Sequence, residues 1–146
     1  MEERYKSKIV VDLLLERENP ETNKKEILLS LRQNTGYADG LYDLPGGHLD
    51  PNEDIFDAMI REAKEEIGID IERKDMKIVH INHRFKNGML KFAFKVDKYK
   101  NNIINGEPDK CKELKWVEIN NLPENIIEHI KKEIILIYDD VYYSKD

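Results

Sequence analysis

Glu62, Glu65 and Glu66 stand three, four and one residue apart, directly after Arg61 and just before Gly68. On a helix they share an arc of roughly 100°, because positions three and four apart are surface neighbours. Like charges at those spacings repel by roughly 0.2–0.5 kcal/mol per pair. Glu65 and Glu66 also occupy the last turn before Gly68, which reads as an αL cap. There the helix dipole disfavours negative charge by a further ~0.3–1 kcal/mol. A sequence selected for helix stability alone would place lysines here. A hard divalent cation with oxygen ligands, Mg²⁺ or Mn²⁺, removes both penalties. The first chemistry to expect is therefore metal binding.

These glutamates need a helix and a loop to aim them. The spacing predicts a helix from about Asp54 to Ile67, with Ile55, Phe56, Met59, Ile60, Ala63 and Ile67 as an apolar stripe that fixes it to a core. The acidic arc borders this stripe, at the rim of the packed surface. Upstream, Leu44-Pro45-Gly46-Gly47 supplies a rigid turn followed by two residues free to take positive φ. Two helix starts are open. Asp50-Pro51-Asn52-Glu53 reads as N-cap, N1 proline and capping-box glutamate. The other start is an Asp54 cap with Asp57 at N3. In the second case Glu53 stays in the loop, where it pairs with Arg61; otherwise Arg61 is a surface partner of Asp57.

Over the 23 residues from Gly47 to Ile69 the fixed positions read Gly, five residues, Glu, seven residues, Arg-Glu, an aliphatic, any residue, Glu-Glu, any residue, Gly, an aliphatic. This pattern resembles the Nudix box with no departure at any defined position. Flanking segments are similar too: Arg32-Gln33-Asn34-Thr35-Gly36-Tyr37 before the box, and Glu113-Leu114-Lys115-Trp116 with Asn121-Leu122-Pro123 after it. The resemblance implies an α/β fold, a Nudix-type α/β/α sandwich with a mixed β-sheet between helices. It implies a Mg²⁺-dependent hydrolase, with Mn²⁺ as a substitute, acting on a nucleoside diphosphate linked to a further group, triphosphates included. By position, Glu62, Glu65 and Glu66 are the metal ligands, with the Gly47 carbonyl as helper and Glu53 and Arg61 holding the ligands in place. The general base stays open among Glu65, Glu66, Glu107 and Glu113. Glu113 is preferred, since it lies three residues before Trp116 on a strand and faces the other way. Substrate contacts are expected from Arg32, Asn34, His48 and Arg84, and a base stack from Tyr37 or Tyr42. His80 is expected to be structural.

Substrate subclass is read by elimination. No proline occurs between Pro51 and Pro108, so the marker of ADP-ribose hydrolases is absent, and Phe85-Lys86-Asn87 stands where dinucleoside-polyphosphate hydrolases carry a tyrosine. The remaining resemblance is to MutT-like triphosphate pyrophosphohydrolases. A nucleoside diphosphate sugar hydrolase and a catalytically silent nucleotide-binding regulator are the alternatives, and the intact set of box glutamates speaks against the silent one.

The other elements follow from pattern. Ile9 to Leu15 and Ile27 to Leu31 read as buried strands, and Lys77 to Phe85 and Leu90 to Val96 as a hairpin around Asn87-Gly88. Leu114 to Val117 is a short later strand. From Pro123 onward, Ile126, Ile127, Ile130, Ile134 and Ile137 recur at helical spacing. The 146 residues, 40% hydrophobic and 37% charged, predict one domain spanning 1–146. A net charge of −6 argues against a nucleic-acid polymer or a membrane surface as partner. The partner expected is a small nucleotide, bound by a monomer or homodimer. Cys111 is the single cysteine, and no apolar leader follows Met1, so the cytoplasm is the expected compartment.

Overall fold

The computed structural model describes residues 2–146. Its strands are β1 (Lys8–Leu13), β2 (Glu16–Glu18), β3 (Lys25–Arg32), β4 (Tyr42–Asp43), β5 (Gly46–His48), β6 (Met76–Arg84), β7 (Met89–Val96), β8 (Cys111–Glu118) and β9 (Tyr143–Lys145). The helices are α1 (Ile55–Ile67) and α2 (Glu128–Tyr138), with single 3-10 turns at Arg73–Asp75 and Phe85–Asn87. A mixed sheet runs β5-β1-β7-β6-β9, parallel at β1–β7 and β6–β9 and antiparallel elsewhere. Beside the expected mixed sheet lies a second, antiparallel one, β2-β3-β4 with β8 on β3.

The apolar run Ile9 to Leu15 extends beyond β1 for a physical reason. Leu14 donates its N–H to Phe94 in the first sheet, and Leu15 accepts from Leu28 in the second. The chain thus passes between sheets while staying buried. Alternation then assigns the faces. Val11, Leu13, Leu15, Leu28 and Phe94 pack with Met59, Ala63 and Ile67 of α1. Leu14, Ile27, Leu29, Ala93 and Val117 pack with Ile130, Ile134 and Ile137 of α2. The two helices therefore cover opposite faces. Fully buried residues such as Ile67 and Ile134 each contribute about 1.5–3 kcal/mol by transfer from water.

Helix α1 takes the later start. Asp54 accepts from Asp57 N at 2.8 Å, and Asp57 accepts from Asp54 N at 3.1 Å, a reciprocal capping box. Asp50 to Glu53 remain loop, with Asn52 at φ 67°. The helix ends at Gly68, φ 74°, where any Cβ would press on Ile104. The hairpin turn is also as expected, with Gly88 at φ 64°. Helix α2 begins later than Pro123 because β4 takes the first part of its apolar run: Tyr42 N donates to Asn125 O, and Ile127 N donates to Tyr42 O. No helix is long and apolar enough to cross a membrane among the described residues.

Candidate active site

Helix α1 carries its three glutamates toward the glycine turn. Glu66 Oε2 accepts from the Gly46 N–H at 2.9 Å. Burial pushes Glu66 up to about 9, and the nearby carboxylates of Glu62, Glu107 and Asp43 raise it further against that one hydrogen bond. Burial also raises Glu62, although Arg61 opposes the shift. A methyl group on Gly47 would meet the Glu62 carboxyl, so glycine there leaves that carboxylate its present place.

Arg61 is the hub. Its Nε and Nη2 meet both Glu53 oxygens at 3.1 and 2.7 Å, and its Nη1 meets Glu62 at 2.8 Å and Glu65 at 3.2 Å. Nη2 also donates to the His48 carbonyl at 3.0 Å, which ties the glycine strand to the helix. Glu53 lies in the loop and accepts from Asp50 N at 2.7 Å. The guanidinium holds Glu53 below the usual carboxylate range.

Among the described residues no three ligating side chains are already gathered around one point. Arg61 spans Glu62 and Glu65 and holds their oxygens. The residues nonetheless fit a hard cation, since Glu62, Glu65, Glu66 and the Gly47 carbonyl offer only oxygen. Glu66 is buried among like charges with a neutral N–H as its hydrogen-bond partner. A divalent cation would supply the missing positive charge.

A cleft of about 650 Å³ opens from these glutamates. Glu107 lines it, because the loop before β8 docks on the end of α1: Ile104 N donates to Ile67 O, and Gly106 N donates to Glu66 O at 2.9 Å. Glu113 does not line it. Leu114 and Trp116 face the α1 side, so Glu113 points to the α2 side and accepts from the buried Tyr42 hydroxyl. The expectation that Glu113 faces the cleft is corrected on this point. Tyr42, at 5% exposed, has no face free for a base; burial and the Glu113 carboxylate push its hydroxyl up to about 12.

The expected substrate residues divide. His48 and Arg84 line the cleft, and Arg84 Nε donates to Asp146 at 3.0 Å. Arg32 lines it too, but its donors are engaged with Tyr37 O, Asp43 and Thr35, which build the β3–β4 loop. Asn34 lies outside the lining. It takes φ 55° and donates to Asp109 O at 3.0 Å, so its role is to shape the turn. His80 is fully buried, donating to Val141 O and accepting from Ser144.

The cleft floor also holds groups that the sequence reading did not single out. Lys91 of β7 is 3% exposed and lies 3.3 Å from Asp12 and 2.6 Å from Glu133. Burial alone would lower the lysine, but these two carboxylates outweigh it and keep it charged. Burial also raises Asp43, whose carboxylate is felt by both Lys91 and Glu66. A signal was present: Asp12 and Lys91 are opposite charges inside apolar runs, and they sit on neighbouring parallel strands.

The family model described as the NUDIX domain matches residues 7–136. The chain belongs to the Nudix family. This Nudix protein is 31% identical over 128 residues to a Methanocaldococcus jannaschii protein named ADP-ribose pyrophosphatase, covering 84% of this chain and 69% of that one. It is 28% identical over 102 residues to the NAD-capped RNA hydrolase NudC of Stutzerimonas stutzeri, covering 70% of this chain and 35% of that longer protein. In fold it is similar to a MutT Nudix hydrolase from Burkholderia pseudomallei, with TM-score 0.74 at 22% identity, covering 89% of this chain and 97% of that one. A MutT protein from Methanosarcina mazei gives TM-score 0.73 at 20% identity, covering 95% and 98%. The α/β sandwich is thus the Nudix fold, and the chain is a Nudix pyrophosphohydrolase.

Proposed function

We propose that the chain is one catalytic domain, cytoplasmic, which uses Mg²⁺ to hydrolyse a nucleoside triphosphate or a related nucleoside diphosphate derivative. The observation that carries this reading is Glu66, buried against Gly46 with Glu62, Glu107 and Asp43 around it, at one end of the cleft. Glu62, Glu65 and Glu66 with the Gly47 carbonyl would hold the metal, and Mn²⁺ suits the same oxygens. Bound Mg²⁺ neutralises phosphate charge and lowers the pKa of water. Glu107 is the candidate base, because it lines the cleft from a loop docked on α1. Its carboxylate takes a proton as water oxygen bonds to an internal phosphorus. The bridging oxygen then leaves with the pyrophosphate, giving nucleoside monophosphate. Glu53 orients Arg61, and Arg61 orients the glutamates.

One specific observation favours a second reading: the archaeal relative carries the name ADP-ribose pyrophosphatase. The expected downstream proline is absent here, so the triphosphate reading leads. A panel of triphosphates, ADP-ribose and nucleoside diphosphate sugars, with products resolved with and without Mg²⁺, separates the two. Monophosphate and pyrophosphate from a triphosphate support the first reading. Cleavage of ADP-ribose with no triphosphate turned over transfers the assignment to the second. Nucleoside diphosphate with orthophosphate contradicts both.

A further inference from the structure

The cleft has two chemically different parts. Glu66 has no cation as partner among the described residues, and its hydrogen bond comes from the neutral Gly46 N–H. Around Tyr37 and His129 each cation already has a carboxylate partner: Arg32 faces Asp43 at 3.2 Å, Lys91 faces Asp12 and Glu133, and Arg84 faces Asp146. Cations whose donors are already engaged offer little to a further phosphate, whereas a planar neutral group can enter without displacing those pairs. The exposed aromatic surface is here as well. Tyr37 is 56% exposed and lines the cleft, whereas the other exposed tyrosines, such as Tyr5 and Tyr142, lie outside it.

Its position is fixed by its neighbours. The Arg32 guanidinium lies 5.4 Å from the ring centroid, a cation–π stack on the ring. The Tyr37 carbonyl accepts from Arg32 Nε and from Thr35 Oγ1, each at 2.8 Å. Asp39 holds the Gly36 N–H at 2.9 Å, which closes the turn. The ring's own hydroxyl lies 3.4 Å from His129 Nε2 at the start of α2. Burial first, and then the charges of Lys91 and Arg84, hold His129 down at about 3, so it is a neutral imidazole at working pH. His129 Nδ1 is buried without a partner, so Nε2 is the ring nitrogen that can meet the edge of a base, as donor or acceptor according to the tautomer.

We propose that Tyr37 and His129 form the nucleobase subsite of this enzyme, with the base stacked on the Tyr37 ring and its edge toward His129. This rests on the nucleotide reading above and gives it a direction: base at Tyr37, phosphates at Gly46 and Glu66. Pre-organisation by Arg32 and Asp39 keeps the ordering cost of the platform low.

The test is binding of 2-aminopurine riboside 5′-monophosphate to the full chain without Mg²⁺, followed by fluorescence quenching, which reports stacking. Wild type is expected to quench the probe. Tyr37→Ala is expected to weaken binding roughly ten-fold, the order that one base stack supplies. Tyr37→Phe keeps the ring and is expected to restore the quench. Unquenched probe on wild type, or equal binding and quenching by Tyr37→Ala, overturns the proposal. So does displacement of the probe by ribose 5-phosphate as readily as by adenosine monophosphate, since that would assign this part of the cleft to a sugar. Failure of the hydrolysis reading would show separately, as wild type that releases no pyrophosphate from any nucleotide.

Discussion

The Gly46 N–H and the Glu66 carboxylate meet at 2.9 Å, so a strand end and a helix end are joined through one acidic group. The two glycines of this turn meet different neighbours, and their substitutions should separate. A Cβ on Gly46 would meet the Val11 carbonyl and the Asp12 backbone, neither of which can move without parting β5 from β1. Gly46→Ala is therefore expected to lower the melting temperature by several degrees. A Cβ on Gly47 would first meet the carboxyl of Glu62, a side chain that can swing away. Gly47→Ala is expected to fold near-normally and to lose turnover. Equal thermal losses in calorimetry would contradict this division.

Arg61 spans loop and helix, with two bonds to Glu53 and one each to Glu62 and Glu65. Lysine carries the charge but not the planar fork. Arg61→Lys is expected to reduce metal affinity or activity about 10–100-fold, the usual cost of losing a group that orients ligands. Titration of Mn²⁺ into the variant measures it. Wild-type affinity together with wild-type activity would remove Arg61 from the site.

The metal-free protein should lose stability as pH rises. Glu66 in the fold keeps its proton up to about 9, whereas in the unfolded chain it gives the proton up near 4.5. Between those values the native state binds more protons than the unfolded state, so stability falls with pH across that window. Below about 4.5 both states are protonated and the effect is absent. Denaturant titrations at pH 5, 7 and 9 in EDTA should show the decline, and Glu66→Gln should reduce it. Mg²⁺ should reverse it, because metal favours the ionised ligand. A wild-type slope identical to that of the variant would count against the burial of this charge.

Glu107 and Glu113 are separated by the strand alternation of β8 and by the loop docked on α1. Glu107→Gln is expected to shift or abolish the acid limb of the pH–rate profile at saturating Mg²⁺. Glu113→Gln should leave that limb in place, since Glu113 bonds Tyr42 on the other face of the sheet. Wild-type limbs in both variants would return the base to Glu65 or Glu66.

Much of this was legible in the chain. The box and the apolar stripe of α1 follow from spacing, whereas the Asp54 cap is one of two starts that local chemistry allows and the one the structure takes. The strands also read well, because β1, β3, β6 and β7 are apolar runs between turns. What failed depends on contacts far apart in sequence. Helix α2 starts late because Tyr42, some eighty residues earlier, takes the backbone of Asn125 and Ile127. Glu113 lost the cleft because the two sheets diverge at Leu14–Leu15, which decides what each face of β8 meets. The Lys91–Asp12–Glu133 group joins two strands and a helix and has no local pattern. β9 was missed as well: only three residues long, it is held by pairing with β6 and by Ser144 bonds to His80 and Asn82.

The account stands on Glu66 as part of a metal site with Glu62 and Glu65. Mn²⁺ binding followed by electron paramagnetic resonance, in wild type and in Glu66→Gln, tests this most directly. Wild type should bind Mn²⁺ and release it to excess Mg²⁺. Glu66→Gln should bind at least about ten-fold more weakly and lose turnover by orders of magnitude, while its metal-free melting temperature at pH 8 equals or exceeds that of wild type. Wild-type Mn²⁺ affinity in the variant, with turnover intact, would contradict the account.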